Sequence, residues 1–117
     1  MELKKMEING VQVEFVNTSR GTRYGFAHDT VLFIDGAQRA EATCHYLNRT
    51  WERYTYQSVM RKAVYELAER LEERLRDTFK AERGYAKMTA KRQAEFAEVL
   101  NGNETIRFYR AVLDALA

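Results

Sequence analysis

Apolar and polar positions change their period halfway along this chain. Up to about residue 48 they alternate. Val11, Val13 and Phe15 stand two apart within Val11-Gln12-Val13-Glu14-Phe15-Val16, the spacing that puts side chains on one face of a strand. Asn9-Gly10 and Asp35-Gly36 interrupt the alternation. Such dipeptides fit a tight hairpin turn, whose two central residues need positive φ. Arg20-Gly21-Thr22 reads as a further connection, Tyr24 to Ile34 as the next strand region, and Gln38 to Leu47 as the return. An antiparallel meander of about four strands follows from this pattern.

From Tyr56 onward the step becomes three and four. Tyr56, Val59, Met60, Ala63, Val64, Leu67, Leu71 and Leu75 form the apolar stripe of an amphipathic helix. Thr55 can cap its start and Gly84 can stop it. Glu66 with Arg70 and Glu72 with Arg76 stand four apart in the favourable order. A helix from about 56 to 83 would be roughly 42 Å long at 1.5 Å per residue. A compact domain of this size has a radius of gyration of only about 13 Å. The helix should therefore project beyond its sheet. Its far stripe needs cover, from the later helices or from another subunit. Thr89 can cap a second helix ending near Leu100 and Gly102. Asn103 can cap a third, with Ile106, Tyr109, Val112, Leu113 and Leu116 as its buried side. The expected architecture is α+β: a meander over 1–48, then a long helix and two shorter ones over 55–117, all in a single domain.

With 117 residues the chain is long enough for a core without staples. Cys44 is alone, so an intrachain disulfide is excluded and a reducing cytosol fits. Met1-Glu2-Leu3-Lys4-Lys5 does not read as a signal peptide, and no apolar run reaches a membrane span. A net charge of +2 spread over mixed surface charge argues against a nucleic-acid partner.

Catalytic signatures are missing. His28 and Asp29 are adjacent on a strand and so point to opposite faces, as do Cys44 and His45. Two histidines and one cysteine do not make a zinc site, so neither metal nor cofactor is expected. Ser19 and Ser58 lack a nucleophile elbow, and Gly21 and Gly25 belong to no phosphate-binding loop. The chain does not read as an enzyme.

What remains is aromatic and basic. Arg20 and Arg23 flank Gly21, where guanidinium forks could meet an anion. Arg49 and Arg53 lie beside Trp51 and Tyr54 at the strand-to-helix corner, which the ring of Trp51 would plug. Arg107 and Arg110 are three apart on one helix face, with Phe108 off the main apolar stripe. These seven residues, Arg20, Arg23, Arg49, Arg53, Arg107, Phe108 and Arg110, are the candidate ligand-binding groups.

The string Tyr46-Leu47-Asn48-Arg49-Thr50-Trp51-Glu52-Arg53-Tyr54-Thr55-Tyr56-Gln57-Ser58-Val59-Met60, preceded by Tyr24-Gly25-Phe26, resembles small proteins of bacteriophages and mobile elements of Gram-positive bacteria. The order of short meander then long helix is also similar to the first type of phage sponge that counters the Thoeris defence. That resemblance implies a homo-oligomer in the host cytoplasm that sequesters a cyclic ADP-ribose-type signal without cleaving it. It implies an aromatic ring on the adenine and arginines on the phosphates. The rival expectation is an anti-CRISPR-type inhibitor that binds and blocks a host defence nuclease.

Overall fold

Asn9 and Asp35 are the two non-glycine residues with positive φ among the described residues, at 52° and 48°. Gly10 and Gly36 follow them at 81° and 80°, so each dipeptide makes a hairpin turn that matches the twist of its flanking strands. A computed structural model of the chain describes residues 1–47 and 55–117. The turns join β1 (Glu2–Ile8) to β2 (Val11–Gly21) and β3 (Phe26–Ile34) to β4 (Ala37–Tyr46). The sheet is antiparallel in the order β1-β2-β3-β4, as the alternating pattern predicts. One boundary moves. Arg20 and Gly21 still pair with Ala27 and Phe26, so the second connection is Thr22–Gly25 and not Arg20–Thr22. Gly25 is required there. A Cβ on it would lie 1.9 Å from the Tyr46 carbonyl oxygen, where the start of β3 meets the end of β4.

Register fixes what each face carries. Val13, Phe15, Leu32, Ala40 and Ala42 share the inner face and pack on Val59, Met60, Ala63 and Val64 of α1 (Gln57–Arg83). Val112 and Leu116 of α3 (Glu104–Leu116) close this core. The opposite face carries Leu3, Val16, Val31 and Phe33, and no described helix covers it.

Gly84 stops α1 in the left-handed region at φ 66°, as expected. The start differs slightly. Tyr56 occupies the cap position, and the Thr55 hydroxyl accepts from the Gln57 amide at 3.3 Å. Thr89 caps α2 (Ala90–Gly102) through the Arg92 amide, and Asn103 caps α3 through the Ile106 amide. Both caps were legible. At about 40 Å for 27 residues, α1 overruns the sheet. The molecule is elongated, 50 × 35 × 22 Å with a radius of gyration of 17.1 Å.

The later helices cover the overhang. Phe79 of α1 meets Phe96 and Leu100 of α2 and Ile106 of α3 in a second core, with Leu71 and Leu75 against it. The stripe over 59–79 is thus covered within the chain, which removes the reason to seek a subunit contact there. Of the two expected helix ion pairs, Glu72–Arg76 forms at 3.1 Å. Glu66–Arg70 does not appear among the ion pairs of the described residues.

Candidate functional site

Among the described residues, the expected basic side chains do not converge on one place. Arg20 lies on the outer face near the end of β2, and its Nε donates to Asp29 Oδ2 at 2.9 Å. The Thr43 hydroxyl donates to the other oxygen of Asp29. Partial burial pushes the Asp29 carboxyl up. The Thr43 hydroxyl and the Arg20 guanidinium, with the charge of His45 beyond, outweigh that and hold it below the usual carboxylate range. Arg20 is therefore committed to a carboxylate. Arg23 sits in the β2–β3 connection with its guanidinium 5.4 Å from the ring centre of Tyr24, itself exposed. Arg49, Arg53, Trp51 and Tyr54 lie outside the described residues.

Arg107 and Phe108 lie at the other end of the sheet. Nine residue steps along β2 lead from Val11 to Arg20, roughly 30 Å at 3.3 Å per step. Here the first turns of α3 pass over the Asn9-Gly10 turn and the end of β3. Between them is an open groove of about 470 Å³. Val11, Ile34 and Phe108 supply its apolar walls, and Asn9, Thr105, Glu104 and Arg107 its polar ones. Such a volume suits a small molecule. Phe108 is partly buried, packing on the main core while also lining the groove. The Arg107 guanidinium is exposed and makes no hydrogen bond or ion pair with a described residue. Glu104 sets a negative charge one turn before it. Beside the groove, the Gln12 amide donates to Asp35 Oδ1 at 2.9 Å and the Asp35 amide donates back to the Gln12 carbonyl at 2.8 Å. That exchange ties the two turns together.

Arg110, expected to work with Arg107, turns away. Its guanidinium donates to Asn101 Oδ1 at 2.7 Å, bracing α3 against the end of α2. The three-residue spacing does not bring the two guanidinium groups together, because α2 captures the second.

Two features escaped the sequence reading. The inner face of the sheet is not wholly apolar. Asn17, His28 and Thr30 are buried on it. The His28 ring lies 4.5, 5.1 and 5.4 Å from those of Tyr56, Phe26 and Tyr46, and its buried Nδ1 has no hydrogen-bond partner among the described residues. The alternation does place His28 inward, two residues from Phe26 and Thr30, so that signal was available. The second feature is a shallow groove lined by Arg70, Arg74, Glu73 and Leu67 of α1 with Tyr109 of α3. No local pattern announces it, because it depends on where α3 lands.

His28 and Asp29 do point to opposite faces of β3. No group of three or more metal-ligating side chains occurs among the described residues. No described helix is long and apolar enough to cross a membrane. No protein-family model, curated protein or solved structure matches the chain.

Proposed function

We propose that this chain is a phage-encoded anti-defence protein that holds a cyclic nucleotide signal of the cyclic ADP-ribose type and does not cleave it. The observation that carries the reading is the groove at the turn end of the sheet. It joins the Arg107 guanidinium, unpaired among the described residues, to an aromatic wall, Phe108, in a space of ligand size. A guanidinium fork suits phosphate oxygens, and a π-face suits a base. The seat would act in the host cytoplasm.

Calorimetry of the full chain with cyclic ADP-ribose isomers and with cyclic di- and trinucleotides tests this. Bound nucleotide should be recovered intact after denaturation. Heat from none of them would overturn the reading.

A second reading rests on a different surface. Leu3, Val16 and Val31 are opposed in one row across three strands of the uncovered face, with Phe33 beside them. Leu3 is 48% exposed. An apolar row of this kind suits a protein partner such as a defence nuclease. Loss of nuclease capture on Val31→Glu, with nucleotide binding absent, would favour this inhibitor.

A further inference from the structure

β1 is an outer strand of the sheet, and most of its side chains are exposed. The two edges are treated differently. On the β4 side, Lys62 of α1 donates to the outward Thr43 carbonyl at 2.7 Å. β1 has no such cover among the described residues. Its free backbone groups can be assigned. A two-residue turn makes Ile8–Val11 a hydrogen-bonded pair. By alternation, Met6, Lys4 and Glu2 also bond β2. The N–H and C=O groups of Leu3, Lys5 and Glu7 therefore point outward. Gln12, opposite Glu7, confirms the alternation, because its own N–H and C=O point the other way, to Asp35. An edge of this kind is a template for another strand.

We propose that a second copy of this chain pairs with β1, antiparallel about a two-fold axis, to make one continuous sheet. The side-chain charges choose the register. Faces match only when residues of equal parity oppose each other, which leaves three registers that pair five or more residues of β1. One sets Lys4 against Lys4 of the partner subunit. Another sets Lys5 against Lys5 of the partner subunit. Like charges directly opposite each other disfavour both. In the third, Met6 lies on the axis against Met6 of the partner subunit, and Lys5 faces Glu7 of the partner subunit, twice by symmetry. Those are hydrogen-bonded positions, so each such pair exchanges both backbone bonds. Lys5, which meets its own copy in one of the other registers, here meets an acid and stabilises the pairing.

The same register carries a consequence for the groove. Lys4 of the partner subunit stands opposite Ile8, on the inner face, one strand beyond Val11 of the groove wall. The long Lys4 side chain of the partner subunit then offers a second cation on the β1 side of the groove, across from Arg107 on α3. That consequence rests on the ligand reading above, whereas the pairing does not.

Sedimentation of the full chain at tens of micromolar tests the pairing. Twice the 13.7 kDa mass of one chain is expected. Lys5→Glu alone and Glu7→Lys alone should each give the monomer, and the two together should restore the dimer. In a Cys44→Ala background, Met6→Cys should form an intermolecular disulfide on mild oxidation. Directly opposed non-hydrogen-bonded residues stand about 4.5 Å apart at Cα, within reach of an S–S bond. Ile8→Cys should not form one. A monomeric wild type would overturn the proposal. So would a dimer that survives the single charge reversals or that fails to cross-link through position 6. Nucleotide binding is read separately by calorimetry, so failure of one leaves the other standing.

Discussion

Thr30 donates its hydroxyl to Asn17 Oδ1 at 2.7 Å across β2 and β3, and both residues are almost wholly buried in the inner face of the sheet. Among the described residues, the Asn17 amide nitrogen donates to the sulfur of Met60 alone, at 3.4 Å. The pair is thus a polar island over an apolar helix. Thr30→Val would strip Asn17 of its donor and leave a buried acceptor unsatisfied. The expected loss is about 1–3 kcal/mol of unfolding free energy. Asn17→Leu combined with Thr30→Val should recover part of it, because an apolar pair has no unmade bond. Urea titrations of the two variants measure the difference. Equal stability of Thr30→Val and wild type would show that water reaches Asn17.

Gly25 makes a sharper prediction. Its missing Cβ would meet backbone, the Tyr46 carbonyl oxygen at 1.9 Å, and not the end of a flexible side chain. Gly25→Ala must push the β2–β3 connection away from the end of β4. Overpacking of this kind costs about 1–3 kcal/mol or more. Gly21→Ala, where nothing lies within 4 Å, should leave the melting temperature nearly unchanged. Thermal melts of the two alanine variants side by side give the test.

Local chemistry carried much of the fold in readable form. Asn9-Gly10 and Asp35-Gly36 set both hairpins, Thr89 and Asn103 both caps, and Gly84 the end of the long helix. Each of these acts within a few residues of itself. The candidate site was less legible, for the opposite reason. Arg107 and Phe108 could be picked out on α3, but Asn9, Val11 and Ile34 are brought to them only when α3 folds back over the hairpin turns. The Arg110 contact is not legible along the chain because its partner, Asn101, is on another helix. The Arg20 contact is hidden likewise because Asp29 stands on the neighbouring strand. A charge read along the chain is unpaired until the register is known.

Asp29 should leave a mark on acid stability. Its folded pKa lies below the ordinary 3.8. Its carboxylate therefore stabilises the fold fully above the unfolded value, and that contribution is lost as pH falls through the lower folded value. Wild type should lose melting temperature below about pH 4, partly through this group. Asp29→Asn should melt lower at pH 7 and show a flatter acid limb. Arg20 is more than half exposed, so the effect should be modest and should shrink in salt. Parallel melts from pH 2.5 to 7 check the sign. An Asp29→Asn curve that merely runs parallel to wild type would remove Asp29 from the account.

The last prediction separates two arginines that look alike in the sequence. Arg107 lines the groove with an uncommitted guanidinium, whereas Arg110 is held by Asn101. Under the ligand reading, Arg107→Ala removes a charge-assisted contact worth roughly 1.5–3 kcal/mol and should weaken nucleotide binding at least about tenfold. The fold should be little changed, because that guanidinium braces nothing. Arg110→Ala should do the reverse. It frees Asn101 at the end of α2 and should lower stability slightly, with binding altered less than about threefold. Arg107→Lys should restore only part of the affinity, because an ammonium cannot form the two-pronged contact with phosphate. Titration calorimetry and thermal melts on the same preparations give both readouts. If Arg110→Ala abolishes binding while Arg107→Ala leaves it intact, the ligand does not sit in this groove.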